Sequence, residues 1–127
     1  MVEKIDTEGF RNILNENEKP MVVVCFLPAG CCPPSDEMMK LVGEISKERE
    51  DYDFYAINGE DELRYRLEYL IELHPTTIIF FRGRSRVAIK GLVSKEKLQQ
   101  HMDEVLERIK KCADEVNQLL PRELALR

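Results

Sequence analysis

The strongest indication of the fold is an apolar run that leads into a proline-rich segment. Residues 21–34 read Met21-Val22-Val23-Val24-Cys25-Phe26-Leu27-Pro28-Ala29-Gly30-Cys31-Cys32-Pro33-Pro34. Because an unbroken apolar run rich in β-branched residues suits a strand covered on both faces, residues 21–26 are predicted to form a central strand. A helix is predicted over residues 34–49, since helix starts tolerate proline where the first amides have no intrahelical partner.

Strands and helices alternate on both sides of this segment. Further strands are predicted over residues 53–58, 76–81 and 86–90, with an edge strand over 2–5. Apolar residues at helical spacing predict helices over residues 7–18 and 61–73 and from Ser94 onward. Strands separated by helices pair in parallel, whereas the two strands that flank Gly83 are close enough to form an antiparallel hairpin. The predicted fold class is therefore α/β, with a central mixed β-sheet flanked by helices.

Composition and charge restrict the classes of function. The chain has 127 residues, of which 43% are hydrophobic and 34% charged, and this suits one soluble globular domain. Its formal net charge is -5, whereas polyanion binding needs a basic footprint, so we predict no nucleic-acid partner. The sequence has no apolar run of about 18 residues, so no membrane span is predicted. Its first residues lack the apolar segment of a secretory signal, so we expect a cytoplasmic location.

Four cysteines are the main candidates for chemistry: Cys25, Cys31, Cys32 and Cys112. In the cytoplasm thiols are mostly kept reduced, so these residues are interpreted as reactive or buried thiols rather than structural disulfides. Cys31 is the first candidate for a reactive thiol. A cysteine just ahead of a helix start faces unpaired N–H groups and the positive end of the helix dipole, and both favour the thiolate. The negative charges of Asp36 and Glu37 oppose the ionisation of Cys31. The alternative to a reactive Cys31 is an inert, semi-buried thiol.

Over most of its length the chain resembles the thioredoxin superfamily. Residues 25–27 and 31–34, Cys-Phe-Leu and Cys-Cys-Pro-Pro, stand where the family has Asp-Phe-Trp and Cys-Gly-Pro-Cys. His74-Pro75-Thr76 falls at the family's cis-proline loop, which faces the redox motif, and Gly91 falls at the glycine ahead of the last helix. The resemblance covers residues 5–106 and implies a thioredoxin-like fold, to which the sequence beyond it adds an extended C-terminal helix.

The departures from the family pattern bear directly on function. Pro34 replaces the second redox cysteine, Leu27 the tryptophan, and Cys25 the buried aspartate that assists proton transfer. A dithiol oxidoreductase attacks with its first cysteine and releases the mixed disulfide with its second. Cys32 is a poor substitute, because adjacent Cα atoms lie about 3.8 Å apart and unstrained disulfides need roughly 4.4–6.8 Å. Cys25 is either a resolving thiol beneath the site or a small buried hydrophobe.

The resemblance also implies which residues form the site. The predicted catalytic residues are Cys31 and Cys32, and the predicted substrate-binding residues are Gly30, His74, Pro75 and Gly91. A nearby imidazolium at His74 would favour the Cys31 thiolate, although the family role of this position needs only its backbone. Cys31, Cys32 and His74 could also offer ligands to zinc or copper(I). Because Pro34 removes the usual two-residue spacing between cysteines, we predict neither a metal nor another cofactor.

Two functions follow from this pattern. In the first, Cys31 forms mixed disulfides with protein thiols or disulfides, and an external thiol or a second protein cysteine resolves them. The chain would then be an atypical or monothiol thiol–disulfide oxidoreductase that lacks the second redox cysteine. In the alternative, it is a non-catalytic thioredoxin-fold adaptor or chaperone that binds protein segments in the groove near the cis-proline loop. Whether the chain is an enzyme stays open at this point.

The final helix continues beyond the resemblance. Apolar residues follow one another at the steps of four and three that are typical of a heptad pattern: Leu98, Met102, Val105, Ile109, Cys112, Val116 and Leu119. We therefore divide the chain into a thioredoxin-like domain over residues 1–107 and a C-terminal helical extension and tail over 108–127. The extension could fold back, bind a different protein or pair with a second copy, and we favour a homodimer.

The predicted hairpin is locally basic, with Arg82, Arg84, Arg86 and Lys90 along it. A basic hairpin could contact an acidic partner or nucleic acid. Because no aromatic platform is interleaved with these residues and the chain is acidic overall, they are interpreted as a solvated strand face.

Overall fold

A computed structural model describes residues 2–26, 33–58 and 75–119 of the chain. Among these residues it contains five strands and three helices. The strands are β1 (Val2–Ile5), β2 (Met21–Phe26), β3 (Asp53–Asn58), β4 (Thr76–Phe81) and β5 (Arg84–Lys90), and the helices are α1 (Thr7–Glu16), α2 (Pro33–Glu48) and α3 (Lys95–Leu119). The helix predicted over residues 61–73 lies outside the described residues.

The strands form one mixed sheet in the order β1-β3-β2-β4-β5. β1 and β2 both pair in parallel with β3, whereas β4 is antiparallel to β2 and to β5. The predicted mixed sheet is thus confirmed, with the apolar run of residues 21–26 at its centre. The first five residues of β2 are all buried, because β2 has a neighbouring strand on each side and side chains packed on both faces.

Two apolar layers cover the opposite faces of this sheet. Alternate residues of β2 point to opposite faces, as the pleat of a strand requires. Val22 and Val24 belong to the layer that α2 and α3 cover, whereas Val23 and Cys25 belong to the layer that Phe10 of α1 covers. The helices therefore flank the sheet on both sides.

α3 is fixed to the domain by its first half. The Tyr52 hydroxyl donates a buried 2.6 Å hydrogen bond to the backbone carbonyl of Met102. Leu98, Met102 and Val105 are buried, but Ile109 is half-buried and Cys112 is exposed. Among the described residues, the apolar stripe of α3 thus begins in the core and reaches the surface by Cys112.

A two-residue turn joins β4 to β5. Arg82 and Gly83 have φ angles of 50° and 78°, and positive φ at both central positions is the geometry of the tight hairpin turns that match strand twist. A Cβ added at Gly83 would lie 2.8 Å from the Leu14 carbonyl oxygen, so this position requires glycine for space as well as for φ. Because the turn is so short, β5 begins at Arg84, two residues before the predicted start.

Candidate functional site

The structure describes two of the predicted site residues, Pro75 and Gly91. The other predicted residues lie outside the described residues: Gly30, Cys31, Cys32 and His74. In the sequence, Cys31 and Cys32 come directly before Pro33, the first residue of α2, and His74 comes directly before Pro75. The described residues therefore define the frame to which the predicted redox residues are attached.

Pro75 and Gly91 are brought together by the backbone. The Gly91 N–H donates a 2.8 Å hydrogen bond to the Pro75 carbonyl oxygen, next to the last β4–β5 pair of Thr76 and Lys90. Gly91 has a φ of 82°, in the left-handed region that favours glycine, whereas Pro75 is buried. This geometry joins the segment ahead of α3 to the start of β4.

The chain segments that carry the predicted site all attach to one edge of the sheet. β2 and β4 are antiparallel, so the end of β2 lies beside the start of β4, with Cys25 opposite Thr76. Cys25 also lies opposite Ile57, one residue before the end of β3. β2 ends at this edge with Phe26, and Pro75 directly precedes the start of β4 there. The strand topology therefore anchors the two predicted redox segments at the same edge.

Cys25 is a free thiol in the core beneath this edge. It is 3% exposed and belongs to the apolar cluster that contains Phe10, Ile57 and Ile78. Burial raises the pKa of the Cys25 thiol to about 12, because the apolar surroundings disfavour the thiolate. At neutral pH this residue is a protonated, non-nucleophilic side chain. Of the two interpretations of Cys25, these properties match the small buried hydrophobe.

The thioredoxin family model matches residues 1–104. The chain belongs to the thioredoxin family. No curated protein matches the chain. The assignment confirms the resemblance to the thioredoxin superfamily.

Solved structures share the thioredoxin fold over most of this chain. A thioredoxin from Nicotiana alata matches with a TM-score of 0.72 and 19% identity, covering 81% of this chain and 90% of that one. A chloroplastic thioredoxin z matches with a TM-score of 0.73 and 14% identity, covering 84% and 95%. A chain from a structure on thiol resolution in a yeast mitochondrial 1-Cys peroxiredoxin matches with a TM-score of 0.70 and 18% identity, covering 81% and 94%. At these identities the matches establish the fold.

Within this thioredoxin fold, two buried hydroxyl groups lie on elements that begin beside the predicted site residues. Ser35 is the third residue of α2 and Thr77 the second of β4, and both side chains are almost fully buried. Neither Ser35 Oγ nor Thr77 Oγ1 has a hydrogen-bond partner in the described ranges. A buried hydroxyl without a partner costs about 1–3 kcal/mol. Sequence reasoning missed both residues, since no local pattern marks a serine or threonine as buried and unpartnered.

The described residues offer no ready metal site. Within residues 2–26, 33–58 and 75–119, no group of three or more His, Cys, Asp or Glu side chains is arranged to hold an ion. The ligands considered from the sequence, Cys31, Cys32 and His74, lie outside these ranges. None of the described helices combines the length and the apolar character needed to cross a bilayer.

Proposed function

We propose that this thioredoxin-family protein exchanges disulfides with partner proteins by a monothiol mechanism in which Cys31 is the nucleophile. Family membership is consistent with thiol redox chemistry on protein thiols and disulfides. The observation that carries the monothiol proposal is the burial of Cys25, which keeps this thiol protonated near neutral pH. With Pro34 in place of the second redox cysteine, the domain lacks a conventional resolving thiolate.

The proposed chemistry has three exchange steps. The Cys31 thiolate attacks one sulfur of a partner disulfide, forms a mixed disulfide and releases the other partner sulfur as a thiolate. An external thiolate then attacks the Cys31 sulfur and releases the second partner sulfur. A second external thiolate finally frees Cys31. In sum, the partner disulfide gains two electrons and two protons, and two external thiols become one disulfide.

The test compares single cysteine variants in the full chain. Reduction of a model protein disulfide is followed with glutathione as the external thiol. We expect Cys31→Ser to abolish exchange, whereas Cys32→Ser and Cys25→Ala retain it. Alkylation of Cys31 at varied pH is expected to report a thiol pKa below the ordinary range of free cysteine, about 8–9. Equal rates in the Cys31→Ser variant and the wild type would refute the proposal.

A non-catalytic adaptor or chaperone is the second candidate function. Pro34 supports it, because binding of protein segments in the groove near the cis-proline loop needs no second redox cysteine. The Cys31→Ser variant separates the two candidates. An adaptor keeps its affinity for a bound polypeptide in this variant, whereas a protein that holds its partners through a Cys31 mixed disulfide no longer captures them.

The extension over residues 108–127 is proposed to serve assembly rather than the site. α3 runs without a break to Leu119, and its side chains at Cys112 and Ala113 are exposed. A second copy that packs on the last turns of α3 would cover the remaining apolar residues of the stripe.

We also propose a reducing compartment such as the cytoplasm. The free thiols of Cys25 and Cys112 support this location.

A further inference from the structure

A groove separates the second half of α3 from the β4–β5 hairpin. It has a volume of about 750 Å³, and it lies at the end of β4 away from Pro75. Because β4 has six residues, the groove lies roughly 17 Å from the edge that carries the predicted redox segments. An occupant of the groove would therefore leave that edge free.

Among the described residues, four cationic side chains line this groove and no acidic side chain does. Arg82 and Arg86 come from the hairpin, and Arg108 and Lys111 come from α3. All four are exposed, and none forms an ion pair with another residue of the described ranges. The chain as a whole carries a net charge of -5, so this surface is opposite in sign to the rest of the molecule. Such a concentration of one sign favours an anionic partner.

The cations surround an apolar surface. The guanidinium groups of Arg82 and Arg86 lie 5.3 and 5.9 Å from the centre of the Phe81 ring, which orients both of them. On the opposite side, Val105 and Ile109 continue the apolar stripe of α3 toward the exposed end of the helix. A matching occupant therefore presents carboxylates together with apolar side chains.

We propose that this groove binds an acidic amphipathic segment of a different protein. Its carboxylates pair with Arg82, Arg86, Arg108 and Lys111, while its apolar side chains pack on Phe81 and Ile109. Residues 120–127 of this chain are a poor occupant, because they contain two arginines and one glutamate. If a second copy packed its own groove against this one, the four cations of each copy would lie close together and repel each other. Nucleic acid is disfavoured because the Phe81 ring already carries two guanidinium groups and is unavailable for base stacking.

The proposal is tested with synthetic peptides and the full chain. The probe is a fluorescein-labelled peptide of about four helical turns, with glutamate on one face and leucine on the other. One control peptide has lysine in place of glutamate, and another has serine in place of leucine. We expect saturable binding of the probe by fluorescence anisotropy, weaker binding at higher salt, and little binding of either control peptide. Alkylation of Cys112, followed by peptide mass spectrometry, is expected to slow in the saturated complex.

Paired protein variants locate the site. Arg86→Glu with Arg108→Glu is expected to weaken probe binding about tenfold or more, and the milder Arg86→Gln with Arg108→Gln to give an intermediate loss. Lys40→Glu with Lys97→Glu makes the same change of net charge at exposed helix positions outside the groove and is expected to bind as the wild type does. Thermal unfolding of each variant verifies that it is folded.

Four results would overturn the proposal. The first is equal binding of the glutamate and lysine peptides, and the second is equal loss of binding in the two reversed-charge variants. The third is a single-stranded oligonucleotide that binds more tightly and displaces the probe. The fourth is a wild-type protein that is dimeric and does not bind the probe, but becomes monomeric in the Arg86→Glu, Arg108→Glu variant. That result would assign the groove to a second copy.

Discussion

The Gly91 N–H and the Pro75 carbonyl oxygen are joined by a 2.8 Å hydrogen bond at the edge of the sheet where the predicted site is anchored. The contact adds one backbone pair beyond Thr76 and Lys90. It holds the segment ahead of α3 against the start of β4 through main-chain atoms alone. This hydrogen bond therefore depends on the backbone conformation of Gly91 and not on a side chain.

Replacement of Gly91 by alanine is expected to destabilise the protein. Its φ of 82° costs an L-residue about 1–2 kcal/mol, so the free energy of unfolding is expected to fall by that amount in urea titrations. Gly43→Ala is the matched control, because a Cβ there meets no atom within 4 Å and alanine favours a helix interior by roughly 0.5–1 kcal/mol. The change in the free energy of unfolding is therefore expected to have opposite signs in the two variants. A stabilising Gly91→Ala would contradict the assigned backbone.

Gly83→Ala is expected to cost more than Gly91→Ala. At Gly83 the unfavourable φ of 78° is combined with a Cβ position only 2.8 Å from the Leu14 carbonyl oxygen. The hairpin turn and α1 must then move apart, and we expect a loss above about 2 kcal/mol in thermal unfolding. Arg82→Asn provides the comparison, because asparagine tolerates positive φ better than arginine, and it is expected to raise the melting temperature slightly. A Gly83→Ala variant as stable as the wild type in thermal unfolding would show that the turn is not packed against α1.

The raised pKa of Cys25 predicts a specific loss of stability in alkali. Below its ordinary pKa of 9.0 the thiol is protonated in both states, and burial raises its folded-state pKa to about 12. Between these values only the unfolded state releases the proton, so the free energy of unfolding falls as the pH rises, by about 1.4 kcal/mol per pH unit. Urea titrations from pH 8 to pH 10 (about one pH unit beyond the ordinary pKa) compare the wild type with Cys25→Ala. Parallel curves for the two proteins would show that Cys25 ionises freely in the folded state.

The proposed homodimer is tested on the last turns of α3. Val116 lies on the apolar stripe, and Asn117 is its neighbour off the stripe. We expect Val116→Glu to convert a dimer to monomer in light scattering, because a buried, unpaired carboxylate is costly. Asn117→Glu introduces the same charge and is expected to leave the dimer intact. A wild-type chain that is monomeric at all concentrations would exclude the homodimer.

Much of the fold was accessible from the sequence. The unbroken apolar runs gave β2 and β4 with their observed bounds, because central strands need apolar side chains on both faces. The start of β5 was placed two residues late, since an arginine with positive φ at Arg82 is uncommon and leaves no local signature. The predicted helix ends differ from α1 and α2 by one or two residues, as is usual where the last turn frays.

The groove could not be predicted because it depends on how distant elements cross. Arg82 and Arg86 were interpreted as a solvated strand face, and they are indeed exposed. What brings Arg108 opposite to them is the path of α3, which the buried hydrogen bond from Tyr52 to Met102 helps to set. No periodic pattern in either segment encodes that crossing. The predicted catalytic pair, Cys31 and Cys32, remains a prediction from the family pattern.

The buried thiol of Cys25 also determines where protons can travel during a reaction at this edge. The aspartate that the family has at this position can relay protons, whereas a thiol that stays protonated up to about pH 12 cannot, because its apolar surroundings raise its pKa so far. In the proposed exchange, Cys25 therefore relays no proton between water and the reacting sulfur atoms. The proposed exchange would thus show the kinetic solvent-isotope behaviour of a simple thiol in water rather than that of an enzyme with an internal proton relay.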